Sequence, residues 1–148
     1  MVQAFSLQPL LELMQTRTDE ASRRLGQAIA AEHSAKSRLQ LLEQYREEYS
    51  QRFRDAAQNG LSPQAWRNYQ EFLGRIDEAI QQQRQIVSGA ELHTANGQAQ
   101  WREQNKKLKA IDTLSQRHRS AQLQAEDRQE KKQQDELTSQ RYAHPPND

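Results

Sequence analysis

The sequence predicts an all-α fold: an antiparallel two-helix coiled coil (helical hairpin) in which the C-terminal part of helix 2 overhangs. Three observations predict it. Of 148 residues only 34% are hydrophobic and 28% are charged, and the mean hydropathy is −1.16. That apolar content lies well below the ~45–50% of globular domains, so a multilayer core cannot be filled. Glycine (5) and proline (4) are scarce, which argues against a turn-rich β sandwich and against a Gly/Pro-rich linker. Apolar residues recur at alternating steps of four and three over most of the chain, a mean repeat of ~3.5 that implies a left-handed supercoil.

The elements follow in order as one hairpin domain spanning 1–148. Ser6 ahead of Pro9 reads as the start of helix 1, about 7–57. Its seam is Leu7, Leu11, Met14, Thr18, Ala21, Leu25, Ala28, Glu32, Ala35, Leu39, Leu42, Arg46, Tyr49, Phe53 and Ala56, of which 12 of 15 are apolar. The bend is 58–62, where Asn59-Gly60 supplies a left-handed residue past a helix end, Ser62 an N-cap and Pro63 a first helical position. Helix 2, about 63–141, answers with Trp66, Tyr69, Leu73, Ile76, Ile80, Gln83, Val87, Ala90, Thr94, Gly97, Trp101, Gln104, Leu108 and Ile111. Pro145-Pro146 closes the chain. Folding at the bend places Phe53 near Trp66 or Tyr69 and Leu7 near the Ile111–Leu114 region, over roughly 75 Å of helix. The core is assigned to Leu11, Leu25, Leu39, Phe53, Trp66, Leu73, Ile80, Trp101 and Leu108.

Two stretches depart from a uniform seam. In the middle, Ala21, Ala28, Glu32 and Ala35 lie opposite Val87, Ala90, Thr94 and Gly97; small residues there fit either a poorly packed surface coiled coil or a compliant point. The second is the overhang, residues 115–148, expected to lack a helix-1 partner and to be partly disordered. Its apolar residues are few (Leu123 and Leu137 among them), and its charges are mixed. So polar a helix is marginal in water unless something docks on it. A frayed tail and a segment ordered inside a partner both fit.

Composition and motifs exclude most other chemistry. No run of ~18 apolar residues exists to cross a bilayer, and Met1-Val2-Gln3-Ala4-Phe5-Ser6 lacks the pattern of a secretory signal. No cysteine is present, which suits a reducing cytosol and removes thiolate metal sites. His33, His93, His118 and His144 are isolated, no phosphate loop or nucleophile elbow occurs, and a two-helix assembly offers no enclosed pocket. Neither enzyme activity, cofactor nor metal is expected. With a net charge of +1, nucleic acid and direct lipid insertion are not expected either. The one basic stretch, Trp101-Arg102 with Lys106, Lys107 and Lys109, reads as a solvated face.

The informative feature is a second apolar stripe near the bend. Leu42, Tyr45 and Tyr49 on helix 1, with Phe72, Ile76 and Ala79 on helix 2, give more apolar surface than one partner helix covers. Tyr45, Phe72 and Ala79 lie off the seam. Such excess marks a higher-order bundle or an exposed docking patch.

These residues carry a resemblance. The run Leu41-Leu42-Glu43-Gln44-Tyr45-Arg46-Glu47-Glu48-Tyr49, then Asn59-Gly60, then Trp66-Arg67-Asn68-Tyr69-Gln70-Glu71-Phe72 and Ile76-Asp77-Glu78-Ala79-Ile80 resembles the FliJ family of bacterial flagellar export proteins. Bend position, Trp101-Arg102 and the polar C-terminal helix also match. The resemblance implies a coiled coil like the rotor stalk of rotary ATPases, working at the cytoplasmic face of the cell membrane at the flagellar base. It implies as partners the hexameric flagellar export ATPase, its regulator subunit, the membrane export-gate protein and export chaperones. It assigns gate binding to Leu42, Tyr45, Tyr49, Phe72, Ile76 and Ala79, with Arg38 and Gln83 at the edge of the patch where relatives can carry Gln and His. The end formed by the N- and C-terminal segments is implied to meet the ATPase ring, through Leu7, Leu11, Leu123, Arg128, Lys131 and Lys132. The stalk of a virulence type III secretion system shares the expected fold and stands as an alternative. A structural or nucleic-acid-associated coiled coil, with Lys106, Lys107 and Lys109 on phosphates, is another.

Overall fold

The computed structural model describes residues 6–143. The reading of Met1–Phe5 as no secretory leader, His144 and the Pro145-Pro146 stop lie outside them. The described residues form two α-helices and no strand: α1, Gln8–Gln58, and α2, Pro63–Ala143, paired antiparallel as a helical hairpin. The chain forms two compact units, Met1–Thr18 with Gln104–Asp148, and Asp19–Glu103.

The Asp19–Glu103 unit contains the bend. α1 ends where Gly60 adopts φ +91° and its N–H donates to the Ala57 carbonyl at 3.2 Å. A side chain in that left-handed region meets its own backbone, which is why glycine stands there. Ser62 then caps α2: its Oγ accepts from the Ala65 N–H at 3.1 Å, and Pro63 occupies the first helical position, where no N–H is needed. Between the helices Ala21, Ala28, Ala35, Ile76, Ile80 and Val87 are buried. Full burial of each Ile or Val side chain contributes about 1.5–3 kcal/mol. Leu25, Leu39, Phe53, Leu73 and Trp101 are half-buried, because a single facing helix leaves the outer side of a large residue open. Trp66 is a correction to the expected core, being 46% exposed. α1 stops at Gln58, so little of it is left to cover the indole, and Phe53 is its aromatic neighbour on α1, at a ring-centroid distance of 4.9 Å.

The thin middle is a close approach. A Cβ on Gly97 would sit 3.5 Å from Leu25 Cδ1 and 3.6 Å from Leu25 Cα, so the backbone of α2 lies almost against α1 there. Gly26, Gly74 and Gly89 have open space where a side chain would go and occupy helix interiors. Alanine at each should therefore stabilise the chain by about 0.5–1 kcal/mol, whereas Gly60→Ala should cost about 1 kcal/mol. Urea unfolding followed by circular dichroism checks both signs.

In the other unit, Leu11, Met14 and Thr18 of α1 face Leu108, Ile111 and Ser115 of α2, all buried or half-buried. The Thr18 hydroxyl donates to the Met14 carbonyl at 2.8 Å and lies 3.3 Å from the Gln104 carbonyl across the seam. The expected register is corrected here. Leu7 lies with Ser115, His118 and Gln122 rather than in the Ile111–Leu114 region, and Arg119 donates to Gln8 Oε1 at 3.2 Å. The seam of α2 thus continues in polar residues for about three turns past Ile111, and the unpartnered stretch begins at Leu123 rather than at residue 115. From Leu123 to Tyr142 every residue is exposed.

Candidate docking surface at the bend

Heptad spacing brings six aromatic residues together in the Asp19–Glu103 unit: Tyr45, Tyr49 and Phe53 one turn apart on α1, and Trp66, Tyr69 and Phe72 at three-residue steps on α2. Phe72 contacts two of the α1 rings. Its centroid is 4.5 Å from Tyr49, and 6.3 Å from Tyr45 with an interplanar angle of 72°, an edge-to-face arrangement. Tyr69 lies 5.4 Å from Tyr49 and 5.3 Å from Phe53. Each such pair contributes about 0.5–1.5 kcal/mol beyond its burial, so the cluster holds the hairpin end and presents a surface at once.

The six stripe residues divide by exposure. Ile76 is buried, while Leu42, Tyr49, Phe72 and Ala79 are half-buried. Tyr45 is 46% exposed, the most open of the set, because it lies beside the seam and Phe72 covers only one edge of it. Burial pushes the Tyr49 hydroxyl above the ordinary tyrosine value, with Tyr69 and Tyr45 adding to the shift and Arg52 opposing it. The surface therefore presents a neutral phenol at Tyr49 set among carbon. The two edge residues differ: Arg38 is exposed, whereas Gln83 turns into the seam, where its Nε2 donates to the Ala35 carbonyl at 3.0 Å.

Apolar spacing alone did not reveal the ion pairs that lace the opposite side of the seam. Arg46, at a seam position, is half-buried and pairs with Asp77, which raises the guanidinium pKa by hydrogen bonding and charge. Arg84 meets Glu43 at 3.7 Å, and Lys36 meets Glu91 at 3.9 Å. The complementary signs at residues 36, 43, 77, 84 and 91 recur at seven-residue steps on each helix, and that was the available signal.

In the unit that holds the chain's two ends, Leu7 and Leu11 are half-buried against α2. Leu123 is 62% exposed, and Arg128, Lys131 and Lys132 stand free of α1 on the unpartnered stretch. Lys106, Lys107 and Lys109 are exposed as well. Among the described residues no helix is long and apolar enough to cross a membrane, and no group of three His, Cys, Asp or Glu is placed to hold a metal ion.

Comparison with known proteins bears on the family and the fold. Residues 3–147 match the family model described as Flagellar FliJ protein. The Flagellar FliJ protein of Salmonella typhi is 31% identical over 137 residues, covering 93% of each chain. That of Escherichia coli (strain K12) is 30% identical over 132 residues, covering 89% of this chain and 90% of the relative. Among solved structures, a Chlamydia trachomatis protein described as a candidate YscO homologue superimposes with a TM-score of 0.69 at 18% identity, over 97% of this chain and 96% of that one. That last likeness bears on the fold.

Proposed function

We infer, since the chain belongs to the flagellar FliJ protein family, that it is a non-enzymatic stalk and adaptor of the flagellar type III protein export apparatus. The observation that carries this reading is that the two units bear unlike surfaces, one aromatic and one basic. Tyr45 and Phe72, with Leu42, Tyr49 and Ala79 around them over buried Ile76, offer an aromatic patch beside the seam. The chain's N-terminal turns and the unpartnered part of α2 offer Leu7, Leu11, Leu123 and the cations Arg128, Lys131 and Lys132. In this reading the aromatic patch docks on the membrane export gate, at the cytoplasmic face of the membrane. The second surface engages the hexameric export ATPase, promotes its ring assembly and activity, and meets the regulator subunit. Export chaperones are handled by the same adaptor. An isolated polar helix gains little from its own hydrogen bonds in water, so a partner around residues 123–143 supplies the packing that α1 does not.

Steady-state ATP hydrolysis by the flagellar export ATPase, measured with and without the full chain, tests the reading. A concentration-dependent rise in rate that saturates is the expected result. A rate unchanged at stoichiometric excess of the chain would refute the ATPase-engaging role.

A further inference from the structure

The two flanks of the seam in the Asp19–Glu103 unit differ in chemistry. One carries the paired charges Lys36–Glu91 and Glu43–Arg84. The other carries no such pair. There α1 presents Arg24, Ala31 and Arg38 at seven-residue steps, and α2 presents Ile86 and His93. All five are exposed, Ile86 by 56%. They border two hollows that share Ala31: one of about 240 Å³ between Arg38 and Ile86, and one of about 530 Å³ between Arg24 and His93. The floor is low because Ala28 and Ala35 are short. Among the described residues no Asp or Glu lines either hollow. The nearby seam acid, Glu32, is turned to Lys36 at 3.4 Å, on the paired flank.

We propose that this flank docks an acidic amphipathic helix of a partner protein, its apolar residues on Ile86 and Ala31 and its carboxylates on Arg24 and Arg38. The spacing suits a helix. Arg24 and Arg38 are two heptads apart on α1, about 21 Å, so a partner of four turns reaches both with acids near its ends while its apolar stripe lies in the hollows. Charge decides between occupants. A second copy of this chain, applied by the same flank, sets arginine against arginine with no acid to answer it. The surface adjoins the gate-binding patch at Arg38 and extends away from it to Arg24 and His93.

The test uses the full chain and two synthetic helical peptides with the same leucine positions, one flanked by Glu and the other by Lys, with binding read by fluorescence anisotropy at low ionic strength. The Glu peptide should bind at least about tenfold tighter than the Lys peptide. Arg24→Glu with Arg38→Glu should reverse that order, since both side chains are exposed and the fold keeps its seam. Tyr45→Ala should leave the Glu peptide's affinity unchanged. The proposal is overturned by equal affinity for the two peptides, by no binding at all, or by an order that survives reversal of the arginines. Loss of binding in Tyr45→Ala would overturn it by moving the peptide to the aromatic patch. Light scattering that shows a dimer dissociated by the two arginine reversals would instead give the flank to a second copy.

Discussion

Replacing Tyr45 and Phe72 together by alanine is expected to weaken binding to the export gate by more than about 30-fold and to abolish motility, with helicity and ATPase stimulation preserved. The size of the effect comes from the geometry of the pair. Tyr45 is nearly half exposed, and its ring meets Phe72 edge to face. The two rings therefore form a pre-arranged aromatic surface that loses little side-chain freedom on binding. Their contribution to the fold is smaller, because Tyr49, Phe53, Trp66 and Tyr69 still contact one another after the double change. Motility assays and pull-down with the gate protein read the loss, and far-ultraviolet circular dichroism reads the fold. Wild-type motility in the double variant would remove these residues from the gate-binding assignment.

Truncation after Gln122 is expected to return ATP hydrolysis to the rate of the ATPase alone, with the thermal midpoint of the remaining hairpin little changed. The position matters. A cut after Ile111 would also strip Ser115, His118 and Gln122 from Leu7, mixing a folding defect with a contact defect. A cut after Gln122 keeps that packing and the Arg119–Gln8 hydrogen bond, and removes the stretch whose described residues, from Leu123 to Tyr142, are all exposed. Stimulation undiminished by this truncation would place ATPase engagement elsewhere on the chain. Partial loss on converting Arg128, Lys131 and Lys132 to Gln, shrinking relative to the unchanged chain as salt is raised, would separate charge from length.

Much of this architecture was readable from spacing, because a coiled coil writes its contacts into the sequence at every third or fourth residue. None of the seam positions assigned to α1 from Leu7 to Ala56 is exposed, including the polar Thr18, Glu32 and Arg46. The exact register was not readable. Past Ile111 the seam runs on through Ser115, His118 and Gln122, residues that a search for apolar side chains passes over, so the start of the overhang was placed two turns early. Trp66 misled for the opposite reason. Its apolarity and spacing were right, but spacing carries no information about where the facing helix stops. Off-seam Tyr45 and Phe72 were identifiable as surplus, yet their mutual contact depends on the pairing across the bend.

The buried Gln83 amide bears on how the two helices resist sliding. In the middle of the seam Ala21, Ala28 and Ala35 offer few bumps to catch, and dispersion contacts there would let one helix shear past the other at modest cost. Gln83 reaches the Ala35 carbonyl because the alanine side chain is short enough to leave that oxygen approachable. At the next seam positions toward the bend, Leu39 and Leu42 would fill the same space, and a slip in the other direction would have to lengthen the chain between Gln58 and Pro63. Stranding the amide costs about 1–3 kcal/mol. One glutamine thus works as a detent, holding the hairpin at a single longitudinal setting against a load applied along its length.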